Sequence, residues 1–226
     1  MSKHLEIEIE KLNKRLLTVG EIVVEAIQKA LRALQERRAE LALEVIEGDH
    51  RIDLAEVEVE EECLRLLALY QPVAEDLRFI AAVMKMNSDM ERMGDEASNI
   101  AKHAHFLAGR DPVPIPPRLV DLSNVALRMV RESLAAFVSG DVDAARRICA
   151  EDDEADQYNR EVISYLWKMI EKDTETVERA TRLFSVSRHL ERIADHATNI
   201  AEDVVYMVEG NIIRHRAGLP QERKPL

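Results

Sequence analysis

Apolar residues recur at intervals of three and four over most of the chain, the signature of helices with one buried face. Leu190, Ile193, Ala197, Ile200, Ala201, Val204 and Val208 fall on one stripe. Met90, Met93, Ala97, Ile100 and Ala101 share an arc of roughly 100°. The spacing predicts helices at roughly 4–37, 39–70, 73–108, 117–138, 141–171 and 174–209. Pro72 in YQPVAED suits a first helical turn, where its missing N–H costs nothing. Asp141 in SGDVDAA and Asp173 or Thr174 in EKDTETV are expected N-caps. Four of the seven prolines lie in GRDPVPIPP (109–117), which predicts a non-helical linker between two helical halves. Short turns within each half favour antiparallel neighbours.

The halves are related. MERMGDEASNIA (90–101) returns as LERIADHATNIA (190–201), identical at seven of twelve positions. Upstream, residues 30–53 lie over 133–156 at an offset of 103, which aligns Asp49 with Asp152 and Asp53 with Asp156. The expected fold is therefore all-α: two tandem, sequence-related three-helix bundles with six long helices in up-down order. Their expected extents are 1–108 and 118–210, followed by a tail at 211–226, modestly basic and frayed.

Seven glycines and 4% aromatic residues, with abundant Ala, Leu, Glu and Arg, suit long helices and leave little material for strands. The net charge of −12 repels phosphate backbones and argues against a nucleic-acid partner. Cys63 and Cys149 form no CxxC pair and read as idle thiols of a reducing compartment. The N-terminus, MSKHLEIEIEK, lacks the apolar core of a secretory signal, and the longest apolar run, Phe79 to Met84, is far too short for a bilayer. A cytoplasmic protein is expected, meeting membrane only through partners.

Candidate chemistry lies in the repeated acids. Glu91, Asp95 and Asn99 stand almost opposite the apolar arc, on the solvated face. Like charges at i and i+4 destabilise a helix by about 0.2–0.5 kcal/mol, yet the array occurs twice. Asp49 and Asp53 repeat the spacing on the preceding helix. In an antiparallel hairpin turning near Pro72, Asp53 stands level with Glu91 and Asp49 with Asp95. A turn at Lys172–Asp173–Thr174 likewise levels Asp156 with Glu191 and Asp152 with Asp195. Four carboxylates on rungs about 6 Å apart repel one another unless something positive lies among them. A hard cation (Mg²⁺, Mn²⁺, Ca²⁺ or iron) would satisfy them; so would interhelical hydrogen bonds or arginine pairing. Asn99 and Asn199 offer further oxygens, Asp203 continues the second ladder, and His103 is its counterpart in the first. His4, His50, His105, His189, His196 and His215 form no repeated ligand pattern.

QPVAEDLRFI (71–80), MERMGDEASNIA and LERIADHATNIAEDV, on a duplicated framework carrying EGDHRID and EDDEAD, resemble the PhoU family from about residue 4 to 210. That family is the regulatory accessory component of bacterial phosphate-specific transport. The resemblance implies no catalysis and acidic motifs that bind metal ions, often as surface iron or zinc clusters, beside the magnesium or manganese that the oxygen donors themselves suit. It implies a negative regulator of phosphate uptake and of the phosphate-starvation response. Its partners would be the ATP-binding subunit of the phosphate ABC transporter and a sensor histidine kinase, and it would commonly form a homodimer. Carried over, Asp49, Asp53, Glu91 and Asp95 make a first metal site, and Asp152, Asp156, Glu191 and Asp195 a second, with Asn99 and Asn199 alongside. Lys102, where the second half has Glu202, weakens the first site by this reading.

Two other classes fit less well. A di-iron carboxylate enzyme needs paired Glu-x-x-His motifs aimed into the core, and only Glu47–His50 has that spacing. A spectrin-like scaffold joins its three-helix repeats through a continuous helix, which PVPIPP interrupts.

Overall fold

The computed structural model describes residues 3–213. Its helices are α1 (Lys3–Glu36), α2 (Ala39–Gly48), α3 (His50–Tyr70), α4 (Ala74–Ala108), α5 (Pro117–Ser139), α6 (Val142–Lys172) and α7 (Val177–Glu209), with a short 3-10 turn at Thr174–Thr176. The tail expected at 211–226 lies mostly outside the described residues. One half packs α1, α2, α3 and α4 together, and the other packs α5, α6 and α7. The halves meet mainly along α4 and α7, with a smaller contact between α1 and α5. Buried residues of both halves form one continuous apolar core.

Local chemistry sets the boundaries. Asp141 caps α6 by accepting from Ala144 N at 2.9 Å, and Asp173 accepts from Glu175 N at 3.0 Å. Gly140 and Gly210 close α5 and α7 in the left-handed region. Pro117 sits in the first turn of α5. Pro72 does not do the same for α4: the helix begins at Ala74, and the turn before it is made by Gln71 and Ala74, both at positive φ.

The single helix expected over 39–70 is interrupted at Asp49. Asp49 keeps helical dihedrals, but Ile52 N bonds back only three residues, to Asp49 O at 2.8 Å. Gly48 weakens the helix there. The second half has Glu151 at this place, and α6 runs unbroken. The interruption accompanies close packing, since Ile52 lies against Gly94 of α4, where an added Cβ would meet Ile52 Cδ1 at 2.7 Å. At the corresponding positions the second half has two alanines, Ala155 in place of the larger Ile52 and Ala194 in place of the smaller Gly94.

Interhelical hydrogen bonds fix the register of both hairpins. Asn87 of α4 donates to Glu56 O of α3 at 2.8 Å, and Ser187 of α7 donates to Asn159 Oδ1 of α6 at 2.5 Å. These bonds occupy matching repeat positions. The midpoint of the first falls in the Gln71–Val73 turn and that of the second at Asp173, as the levelled acids require.

Candidate functional site

Each hairpin brings its carboxylates together on the outer surface. Asp49 is pushed above the usual carboxylate range by burial, opposed by the Ser98 hydroxyl and reinforced by the charges of Asp95 and Asp53. Glu91 is raised by burial and then by Asp95, Asp53 and Glu56. The same pattern holds in the second half. Asp152 is raised by burial and by Asp156. Asp195 is pushed up to about 6 by desolvation of its carboxyl and by the charges of Asp152, Glu191 and Asp156. Asp195 is exposed as a residue, with Glu191 one turn away on its own helix and Asp152 and Asp156 on α6. Within each half the acids thus act on one another's charge: Asp53 and Asp95 on Asp49 and Glu91, and Asp152, Asp156 and Glu191 on Asp195.

Compensation from within the protein comes from exposed side chains: in the first half the charge of Lys102 acts on Asp49 and that of Arg92 on Glu91. Arg188 approaches Glu191 at 3.4 Å and Arg160 approaches Asp156 at 3.4 Å, each from an exposed position on the same helix. Such pairs contribute about 0.3–0.5 kcal/mol. Thr198 donates to Asp152 at 3.3 Å. Its counterpart Ser98, 1% exposed, has an Oγ without a hydrogen-bond partner, although it lies near enough to Asp49 to favour the ionised carboxylate. A buried hydroxyl beside an under-compensated group of hard oxygen donors suits a hard cation. Among the described residues no three His, Cys, Asp or Glu side chains already stand in a metal-holding arrangement. Capture of an ion therefore requires the carboxylates to converge further.

Asn99 is engaged on its own helix, and the other three expected oxygen and nitrogen donors lie in the seam between the halves. Asn99 Oδ1 accepts from Lys102 at 3.1 Å. Asn199 turns into the seam between the halves and donates to Asp89 at 3.2 Å. Asp203 is 3% exposed and pairs with Lys85 of α4 at 3.2 Å. His103 stacks on His189 with ring centroids 5.5 Å apart. Burial and the neighbouring His189, Arg182 and Lys102 lower its pKa to about 4. The cause is helical drift: a four-residue step overshoots one turn by about 40°. Three steps from Glu191 carry Asp203 about 120° around α7, from the α6 side to the α4 side.

The seam contains polar residues that the repeat pattern did not single out. Glu96 of α4, 2% exposed, receives His189 at 2.5 Å and Arg192 at 2.8 Å. Asp89 receives His196 at 2.8 Å. Positions 189 and 196 are the repeat counterparts of 89 and 96, so α4 and α7 cross antiparallel about a local two-fold axis. The first half supplies acids and the second supplies histidines. The signal is present in the repeated segments 90–101 and 190–201, where Glu96 and His196 are the one chemically unlike pair. Glu56 was also missed: it adds a carboxylate beside Asp53 and Glu91, where the second half has the amide of Asn159.

Among the described residues, seven helices in two related bundles, each with four carboxylates on the outside of its last hairpin, define a tandem helical-bundle repeat protein with two acidic surface patches. Comparison with known proteins gives the family. The PhoU domain model matches twice, at 16–104 and 119–204, and the chain belongs to the PhoU family. It is 41% identical over 209 residues to the phosphate-specific transport system accessory protein PhoU homolog of Aquifex aeolicus (strain VF5), covering 92% of this chain and 95% of the relative. The crystal structure of PhoU from Pseudomonas aeruginosa superposes with a TM-score of 0.87 at 35% identity, over 91% of this chain and 99% of the other. That of the phosphate transport system regulatory protein PhoU from Streptococcus pneumoniae gives 0.83 at 33% identity, over 92% and 98%. The family consists of accessory regulatory proteins, not enzymes. No helix among the described residues is long and apolar enough to cross a membrane.

Proposed function

We propose that this chain is a negative regulator of phosphate uptake and of the phosphate-starvation response. It acts in the cytoplasm as a metal-binding adaptor between the ATP-binding subunit of a phosphate ABC transporter and a sensor histidine kinase, and it forms a homodimer. The observation that carries the reading is the recurrence of the same four-carboxylate hairpin face in both halves of a PhoU-family chain, with compensating positive charge from exposed side chains. Asp49, Asp53, Glu91 and Asp95 would hold one ion or cluster, and Asp152, Asp156, Glu191 and Asp195 the other. Iron, zinc, magnesium and manganese are the candidates; all-oxygen donors favour the harder ions. Bound metal would supply charge neutralisation on the hairpin faces and leave them rigid for docking. Catalysis is no part of the reading.

The test is capture of the two partners by the purified chain, metal-loaded and after chelation, beside Asp95→Asn and Asp195→Asn variants. Retention of the transporter subunit and the kinase by the loaded protein supports the adaptor role. Retention of neither refutes it. Elemental analysis of the same preparations separates the metal component, because equal metal content in wild type and both variants removes the quartets as the binding sites.

A further inference from the structure

The outer face of α3 carries a second apolar stripe that the core does not use. Leu54, Val57, Leu64 and Ala68 are all exposed, the first three at 62%, 46% and 52%. Together with Glu61 they recur at 54, 57, 61, 64 and 68, alternating steps of three and four. On a helix wheel they occupy an arc of about 80°, the width of a coiled-coil seam rather than of a core-facing stripe. The stripe lies opposite Ile52, Val59, Cys63 and Leu66, which α3 buries in its own bundle. Single exposed leucines are ordinary; a run in heptad register over about 21 Å of helix is not.

The fold does not impose this stripe. The corresponding positions on α6 are Gln157, Arg160, Ser164, Trp167 and Glu171, four of them polar or charged. The same architecture is thus built with a wet outer face in one half and an apolar one in the other. The flanks of the α3 stripe, where a coiled coil places its e and g residues, hold Glu58 and Glu60, with Asp53 of the first quartet at one end, and Glu61 lies in the seam itself. Arg65 is already held by Glu8 and Glu62. This charge pattern selects the occupant. A second copy laid along the face would set acids against acids, and an anionic lipid surface would be repelled. A helix with leucine-like residues in its seam and Lys or Arg on its flanks meets every feature.

We infer that α3 is a docking face for a basic amphipathic helix of a partner protein, held side by side in coiled-coil fashion along Leu54, Val57, Leu64 and Ala68. The inference rests on the reading of this chain as an adaptor. Its test uses synthetic helices in place of the transporter subunit and the kinase, so either can fail without the other.

Two labelled peptides share leucine at their seam positions and differ only in having Lys or Glu on the flanks. Each is titrated with the full chain and followed by fluorescence anisotropy at low and high salt. The Lys peptide binds at least about tenfold tighter than the Glu peptide, and its advantage shrinks at high salt. Leu54→Gln with Leu64→Gln abolishes binding. Glu58→Lys with Glu60→Lys transfers the preference to the Glu peptide, and it carries the test should the double glutamine variant unfold. Equal affinity for both peptides, binding of neither, or an unchanged preference after charge reversal overturns the inference. So does concentration-dependent self-association that Glu58→Lys with Glu60→Lys leaves intact and Leu64→Gln removes, since the face would then belong to a second copy.

Discussion

Replacing Asp89 or His196 tests whether the seam between the halves is held by specific polar pairs or only by apolar burial. Their side chains are about one-tenth exposed, and the Asp89 carboxylate accepts from His196 Nδ1 at 2.8 Å and from Asn199 Nδ2 at 3.2 Å. Hydrogen bonds to charged groups contribute about 1.5–3 kcal/mol each. Asp89→Ala loses two, but it also removes a carboxylate that is costly to bury, leaving an expected loss of about 3 kcal/mol. His196→Ala leaves that carboxylate buried with only Asn199, and costs about the same. The double variant removes both partners, so it should fall short of the sum by about 1.5–3 kcal/mol. Urea unfolding of the four proteins gives this difference directly, provided that the slopes agree. The pair formed by Glu96 and His189 lies about 10 Å further along the helices, so Asp89→Ala and Glu96→Ala should add to within about 0.5 kcal/mol. A within-pair difference below about 0.5 kcal/mol refutes the reasoning: the seam would then be held by α4 and α7 apolar contacts alone.

Metal affinity should rise with pH and level off above about 6, because Asp195 must release its proton to bind, as followed by calorimetric titration at pH 5 and pH 7. The sign in the metal-free protein is opposite: a carboxyl held above its unfolded value stabilises the fold at low pH, and that stabilisation is lost as pH rises through about 6. A pH-independent titration contradicts the assignment. Gly94→Ala should destabilise by about 1–2 kcal/mol despite its better helix propensity, through the contact with Ile52. Combination with Ile52→Ala, which copies the second half, should cost clearly less than the two changes summed, by denaturation. Cys63, fully buried with a thiol pushed up to about 12 by burial, should react with a thiol reagent only at the rate of unfolding.

The level pairing of the acids was legible in the sequence because two pieces of information converged. Four-residue spacing kept each acid pair on one helical face, and the turns at Pro72 and Asp173 set which pairs stand level. The bonds from Asn87 to Glu56 and from Ser187 to Asn159 confirm that register. Extrapolation along the same ladder failed at Asn199 and Asp203, because each four-residue step turns the side chain further toward the neighbouring half. The interruption at Asp49 was hidden for a different reason. Apolar periodicity continues across it, and Gly48 together with the packing of Ile52 on Gly94 distinguishes α2 and α3 from the continuous α6. Glu96, Asp89, His189 and His196 drew no attention as isolated residues. Their meaning depends on the crossing of α4 and α7, which local spacing does not encode.

The division of acids and histidines across that crossing makes the two halves non-interchangeable. A chain assembled from two first halves would oppose Asp89 to Glu96 at both bridges, and one assembled from two second halves would oppose imidazole to imidazole. The crossing therefore takes one half of each kind, an asymmetry carried within a single chain.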